Sequence, residues 1–380
     1  MRVEEFAMER LQSTWENLVE INLSESGVHP LRVADLVDRP DLREALLDER
    51  LAYTQSNGTP ELRRLVAALY PGATEAHIEI TNGGAEANYV VLWHLVEPGD
   101  EVVMMTPNYM QGWGLARAFG ATVARWWLRE GTRGGRPAWR ADIDELARLV
   151  TPRTKLVLLC NPNNPTGARL AGEELDAICR IAARHGAWIV ADEIYRGAEL
   201  DGVETPSLWG RYERVVVTSG LSKAYGLPGL RIGWIAGPPD LVARLWSYHD
   251  YTTIAPGALG DLLARVALAP DRRPRLLERT RRILRENYPV LREWIDAHEG
   301  WFRHIPPEAG AIAYLAYTHP IDSGTLAARL RDEQSVLVVP GVHFDMEGFV
   351  RLGFGSERPL LEEGLRRVQR LLSALAVHAG

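Results

Sequence analysis

Two lysines, Lys155 and Lys223, stand among 41 arginines in this 380-residue chain. Chemistry that needs a side-chain amine therefore has two candidates, and their surroundings differ. Lys155 opens the apolar run KLVLLC (155–160) behind a Thr-Pro-Arg turn. Lys223 lies in SGLSKAYGLPGLRIG (219–233), a loop between two apolar runs with glycine or serine close on both sides. Small neighbours let a bulky planar ligand approach the backbone, and the hydroxyls of Ser219 and Ser222 suit an anion. The alternative is an ordinary loop lysine.

Two further runs end in polar groups. AWIVAD (187–192) finishes on Asp192, followed by Glu193 and, three residues on, Tyr195. Ligands of open α/β sheets bind at the carboxyl ends of strands. An aspartate there can pair with a protonated ring nitrogen and a tyrosine can donate to a ring oxygen, while a helix N-cap is the rival reading of Asp192. Cys160-Asn-Pro-Asn-Asn-Pro-Thr-Gly167 leaves another apolar run in a rigid turn. Asn164 then points its amide at the same edge, unless the Asn-Pro pairs are only turns. Thr81-Asn-Gly-Gly-Ala-Glu86 opens a helix, whose free N–H groups and positive dipole end suit a phosphate; close packing is the competing use of the Gly-Gly pair.

The elements that must hold these residues alternate. Continuously apolar strands are expected at 101–105, 121–127, 155–160, 187–192, 214–220 and 231–237, as in a sheet covered on both faces. Helices are expected between them at Ala85 to Val96, Met110 to Phe119, Asp142 to Leu149 and Gly172 to His185. GTRGGRP (131–137) reads as a surface turn. Beyond Pro239, Leu241 to Leu268 and Arg272 to His298 read as two long amphipathic helices, placed to act as a hinge. The tail offers short strands at 311–317, 335–340 and 349–354, and helices at Ser323 to Arg331 and Arg358 to Ala376. The expectation is an α/β fold with a mostly parallel sheet sandwiched by helices, plus a smaller α+β domain.

Hydrophobic content of 46% and charged content of 24% exclude a disordered or rod-like chain. A formal charge of −7 provides no positive field for nucleic acid or anionic lipid, so small molecules are the expected partners. No apolar run reaches the roughly 18 residues of a membrane span, and no ligand-spaced cysteines or metal site are evident: Cys160 and Cys179 fit a reducing, cytoplasmic setting. The first twenty residues carry five glutamates and lack the apolar core of a signal peptide.

Taken in order, six motifs resemble those of the fold type I pyridoxal 5′-phosphate (PLP) enzymes, specifically the class I/II aminotransferases related to aspartate aminotransferase. They are Tyr-x4-Gly-x-Pro-Glu-Leu-Arg (Tyr53 to Arg63), Asn-Gly-Gly (82–84), Pro-Gly-Asp-Glu-Val (98–102), Asn-Pro-x-Asn-Pro-Thr-Gly (161–167), Asp-Glu-x-Tyr (192–195) and Ser-Lys-x7-Arg-x-Gly (222–233). The resemblance implies a large PLP-binding domain over 41–284 and a small domain built from 1–40 and 285–380. It implies that Lys223 forms the imine with PLP and later shuttles a proton, and that Asp192 keeps the pyridine nitrogen protonated. Tyr195 and Asn164 would bond the 3′ oxygen. The phosphate would lie on the N–H groups of Gly84 and Ala85 with Ser222, Arg231 and, from the other subunit of a homodimer, Tyr53. Tyr109 would stack on the ring, and Arg351 would grip the substrate α-carboxylate as a bidentate pair. Asn164, Gly27 and Glu25 complete the expected substrate contacts.

One stretch departs from the common pattern. Asn22-Leu-Ser-Glu-Ser-Gly-Val-His-Pro30 is similar to the Ser-Ser-Gly-Val stretch of capreomycidine synthase-like enzymes, which use PLP to eliminate and cyclise a hydroxyarginine. Transfer of an α-amino group to a 2-oxo acid is thus the first expectation, elimination with cyclisation the second. A non-catalytic PLP-binding effector domain is a remote third.

Overall fold

The computed structural model describes residues 2–298 and 300–378. Eight strands build the main sheet: β1 (Ile78–Thr81), β2 (Glu101–Thr106), β3 (Thr122–Arg133), β4 (Arg136–Ala141), β5 (Thr154–Cys160), β6 (Trp188–Asp192), β7 (Val215–Gly220) and β8 (Gly233–Ala236). Their spatial order is β1-β8-β7-β6-β5-β2-β3-β4. The centre, from β7 to β3, is parallel, whereas β8 runs antiparallel to both β1 and β7, and β4 returns antiparallel on β3.

The continuous apolar runs are explained by burial on both faces. Val102 and Met104, Leu156 and Leu158, Val190 and Val216 pack on one side with Val90, Leu115, Leu241 and Leu245 from helices. Their alternates Val103 and Met105, Val157 and Leu159, Ile189 and Ala191, Val215 and Val217 pack on the other with Leu175, Ile178 and Leu263. Successive side chains of a strand point to opposite faces, so a strand with helices on both sides must be apolar at every position. Each such side chain contributes about 1.5–3 kcal/mol of burial.

A second, antiparallel sheet has the order β9-β10-β12-β11, from β9 (Phe302–His304), β10 (Ile312–Tyr317), β11 (Val339–Pro340) and β12 (Phe349–Gly353). Beside it, Ile21–Asn22 pairs in parallel with Val336–Leu337, joining the start of the chain to its last quarter. Five helices matter for the site and its frame: α1 (Ala7–Trp15), α2 (Gly84–Leu95), α3 (Pro239–His249), α4 (Ala258–Leu268) and α5 (Arg273–Asp296).

Several expectations need correction. The stretch from Leu241 to Leu268 is two helices, because Pro256 has no N–H to continue a helix and Gly257 is the N-cap of α4. GTRGGRP is a turn, but it closes the β3–β4 hairpin; β4, with a proline and two arginines, lacks the apolar pattern of a strand. Residues 335–340 split at Val338 into two-residue strands that join different sheets. The four residues of β1 and the helix α1 were not anticipated.

Candidate functional site

Thr81, Cys160, Asp192 and Gly220 end β1, β5, β6 and β7 on one edge of the sheet, because the two antiparallel pairings of β8 leave β1 and β7 running the same way. Three features follow at once: α2 starts three residues after β1, Asn164 lies four residues past β5, and Lys223 three past β7. The start of α2 is shaped by glycines. Gly83 is its N-cap with φ 95°, and a Cβ there would sit 2.4 Å from Arg231 Nη2. A Cβ on Gly233 would come 2.3 Å from the carbonyl carbon of Gly83, so β8 and the loop touch backbone to backbone. The N–H groups of Gly84 and Ala85 head α2 and have no intrahelical acceptor.

Asp192 is held by two donors. Asn88 Nδ2 gives a hydrogen bond to Oδ2 at 3.0 Å and the Ile194 N–H to Oδ1 at 3.0 Å. Asn88 is itself oriented by Thr218, whose hydroxyl donates to its Oδ1 at 2.6 Å. Burial pushes the Asp192 carboxyl upward, against these two donors. A cationic N–H would reverse that balance.

Lys223 Nζ lies 2.6 Å from Glu25 Oε1, which also accepts the N–H groups of Ser26 and Gly27 at 2.8 and 2.9 Å. The Lys223 charge holds the Glu25 carboxyl down at about 2, against the effect of burial. Burial works against the Lys223 ammonium, yet Glu25 and Tyr195 outweigh it and hold the group above the ordinary lysine value. The buried Tyr195 hydroxyl donates to Ser26 Oγ at 2.8 Å, and burial raises it to about 12.

Arg351, on β12, is 1% exposed. Its Nη1 donates to Asn164 Oδ1 at 2.7 Å and its Nη2 to the Ser24 carbonyl at 2.5 Å, while Nε is buried without a partner. Burial disfavours its charge, and among the described residues it has no carboxylate ion pair. A buried cation on neutral acceptors alone is short of an anion.

A cavity of about 230 Å³ gathers most of the expected residues. Lys223, Asp192, Tyr195 and Asn164 line it, as do Gly84, Ala85, Ser222, Arg231 and Tyr109. Arg351 stands behind it, reaching it through Asn164. Glu25 and Gly27 line a neighbouring cavity of about 260 Å³ that shares Ser222 with the first. Tyr53 is not part of this assembly: it is 86% exposed, which also excludes a role in the chain's own core.

Other residues escaped the sequence reading. Asn88 is one; its spacing of four from Gly84 places it on the same face of α2, which was the available signal. Met8, Glu9 and Gln12 of α1 also line the cavity, and Glu9 accepts the Tyr109 hydroxyl at 2.9 Å while Phe6 meets the Tyr109 ring edge-on at 4.9 Å. Nothing in the sequence of α1 marked it for the site.

Comparison with known proteins bears on this arrangement. Residues 30–368 match the family described as aminotransferase class I and II. The chain belongs to the class I and II aminotransferase family. Capreomycidine synthase of Streptomyces vinaceus is 35% identical over 362 residues, covering 93% of this chain and 90% of that protein. Aspartate aminotransferase of Streptomyces avermitilis is 31% identical over 346 residues, covering 84% and 81%. Among solved structures, a PLP-dependent aminotransferase from Streptococcus suis superposes with a TM-score of 0.91 at 33% identity, covering 98% of this chain and 99% of that one.

Members of this family use PLP, and the residues present fit it. The glycine-lined start of α2 leaves room for a phosphate beside Arg231, Asp192 offers a carboxylate for a ring N–H, and Lys223 is an amine in the same cavity. The orphaned Arg351 Nε leaves donor capacity for a carboxylate on a substrate.

Proposed function

We propose that this chain is a PLP-dependent aminotransferase that moves the α-amino group of an amino acid to a 2-oxo acid. The observation that carries the reading is Lys223, one of two lysines in the chain, converging with Asp192, Tyr195 and Asn164 on one cavity at the N-terminus of α2. Bound there, PLP supplies an electron sink for the bond broken at the substrate Cα. Lys223 would hold the group through its Nζ, and the same nitrogen would take the Cα proton of the substrate. Asp192 accepts a ring N–H with its carboxylate, kept in place by Asn88. The Tyr195 hydroxyl, turned away from Ser26, and the Asn164 amide would direct polar hydrogens at the ring oxygen, Tyr109 would cover the ring, and Gly84, Ala85, Ser222 and Arg231 would receive the phosphate. Arg351 meets the substrate carboxylate, with Gly27 and Glu25 near its side chain.

Elimination with ring closure is a second reading, favoured by the resemblance to capreomycidine synthase and by the Lys223–Glu25 contact, which sets a second titratable group at the reacting amine. We further propose a homodimer with shared sites. Leu47, Leu51, Tyr53 and Tyr251 are all more than 80% exposed, apolar side chains a second copy could cover, and Thr54 bonds the Pro256 carbonyl at 2.9 Å, which ties the segment after Tyr53 to the one after Tyr251. A large domain over 41–284, a small one from 1–40 and 285–380, and a cytoplasmic setting complete the proposal. Among the described residues, no helix is long and apolar enough to cross a membrane.

The test is a panel of single amino acids mixed with holoenzyme without any acceptor. One equivalent of 2-oxo acid released per chain supports amino transfer. A cyclised product with the amino group retained establishes the second reading, and no reaction with any amino acid refutes both.

A further inference from the structure

Behind the 82–84 loop lies a buried charged cluster that the proposed chemistry does not use. His249, the last residue of α3, is fully buried. Its Nδ1 is 2.9 Å from Glu79 Oε1 on β1, and its Nε2 is 3.1 Å from Thr253 Oγ1 and 3.3 Å from Glu86 Oε2 on α2. Glu86 in turn accepts the Asn82 N–H at 2.6 Å and the Thr253 hydroxyl at 2.7 Å. The Asn82 amide donates to Thr253 Oγ1 at 2.6 Å and to the Ala255 carbonyl at 3.1 Å. On the far side of the loop, Arg231 Nη2 donates to the Asn82 carbonyl at 3.3 Å.

The donor and acceptor roles fix the proton on one nitrogen. The Thr253 hydroxyl gives its hydrogen to Glu86, so it can only accept from His249, and Nε2 must carry a hydrogen. Nδ1 faces a carboxylate oxygen and carries the second hydrogen whenever Glu79 is ionised. Burial opposes the imidazolium, but the two carboxylates outweigh it and hold His249 up at about 9; burial also lifts Glu79 to about 7. Asp250 and Arg63 are the remaining charged groups that act on Glu79.

Glu86 therefore presents a carboxylate in the first turn of α2, the turn that is to receive a phosphate. An anion beside an anion in a partly desolvated site is unfavourable unless a cation lies between or behind. We propose that His249 is a positioning residue for the cofactor phosphate: shared between Glu79 and Glu86, its imidazolium offsets part of the Glu86 charge from behind, so that Glu86 can anchor the Asn82–Gly84 loop with less repulsion of the ligand. The inference rests on the PLP reading of the site and adds a charge balance to it. His249 reaches the cofactor only through Glu86.

Apoprotein titrated with PLP, followed by cofactor absorbance, gives the dissociation constant in wild type, His249→Gln, Glu86→Gln and the double variant. His249→Gln should weaken PLP at least tenfold and leave kcat at saturating PLP within about twofold. Pyridoxal, which lacks the phosphate, should bind wild type and His249→Gln equally. In the Glu86→Gln background, where the amide oxygen still accepts the Asn82 N–H, adding His249→Gln should change the constant less than threefold. Equal loss of pyridoxal and PLP affinity, or a full tenfold loss in the Glu86→Gln background, would overturn the inference. If His249→Gln does not fold, Glu86→Gln alone decides: PLP binding as tight as wild type or tighter supports it, and a threefold or greater loss overturns it. Wild type that takes up no PLP would instead overturn the functional reading.

Discussion

Replacing Arg351 by glutamine separates what this side chain does for activity from what it does for stability, and the two should move apart. Its guanidinium rests on Asn164 and the Ser24 carbonyl with no carboxylate ion pair among the described residues, and its Nε has no hydrogen-bond partner among them. A substrate carboxylate would gain two charge-assisted hydrogen bonds there, each worth about 1.5–3 kcal/mol. Glutamine returns one neutral bond of about 1 kcal/mol, leaving a loss of about 2–5 kcal/mol. At 1.36 kcal/mol per decade this is a fall in kcat/KM of about thirtyfold to several thousandfold. PLP affinity should be unchanged, because the phosphate cradle lies on α2 and the loop between β7 and β8. Stability should behave oppositely: an unpaired buried charge costs free energy, so its removal leaves the thermal midpoint of the apoprotein at or above that of wild type. Steady-state kinetics across several amino acids and a thermal melt of each form provide the comparison. Unchanged kcat/KM would remove Arg351 from the carboxylate site. A midpoint lowered by 4 °C or more, about 3 kcal/mol for a chain of this size, would show that its bonds to Asn164 and Ser24 outweigh its uncompensated charge.

Three other perturbations address the remaining roles. Lys223→Ala should lose the visible absorbance of bound PLP and all turnover while Lys155→Ala keeps both; borohydride labelling found on Lys155 would contradict the assignment. Asp192→Ala should retain PLP on its phosphate contacts yet fall in rate by about a thousandfold, about 4 kcal/mol of barrier, and near-normal turnover would make this residue a structural cap. Glu25, held from its ordinary 4.5 down to about 2 by Lys223, stabilises the apoprotein fully above pH 4.5 and loses that contribution as pH falls towards 2. Both side chains of this pair are partly exposed, so the contribution is at most about 1 kcal/mol. The melting midpoint of Glu25→Gln should thus trail wild type by about 1 °C at pH 7 and converge with it in acid, and a gap that widens in acid would refute the ion-pair account.

The central strands and the site residues near their ends were legible because doubly covered strands carry long apolar runs, and the polar residues that close or soon follow each run lie at the sheet edge. Asp192 closes its run, and Asn164 and Lys223 lie four and three residues past theirs. Residues that reach the site from outside the sheet leave no such mark. Glu9 and Phe6 meet Tyr109 across about a hundred positions of sequence, and their pattern is that of any amphipathic surface helix. Glu79 and His249 were unreadable for a related reason: Glu79 stands alone between two isoleucines and His249 in the mixed run Ser-Tyr-His-Asp-Tyr, neither of which marks a partner, and only the packing of α3 on β1 brings them within 2.9 Å. The break between α3 and α4 was present in the sequence as Pro256-Gly257, but the apolar periodicity on both sides masked it.

The pairing of Ile21–Asn22 with Val336–Leu337 also orders events during synthesis. The contact between Glu20 and Ser335 already spans 315 residues; at about 5–20 residues per second, translation of that interval takes roughly 15–60 s. Every strand of the eight-stranded sheet has left the ribosome before the partner of Ile21 exists. Through that interval Ile21 and Leu23, both fully buried in the finished protein, lack the strand they pair with. Because Ser24, Glu25 and Ser26 directly follow this short strand, the half of the site that contacts Arg351, Lys223 and Tyr195 can take shape only after β12 has been made. An incompletely translated chain therefore carries the phosphate cradle and its lysine without the substrate clamp.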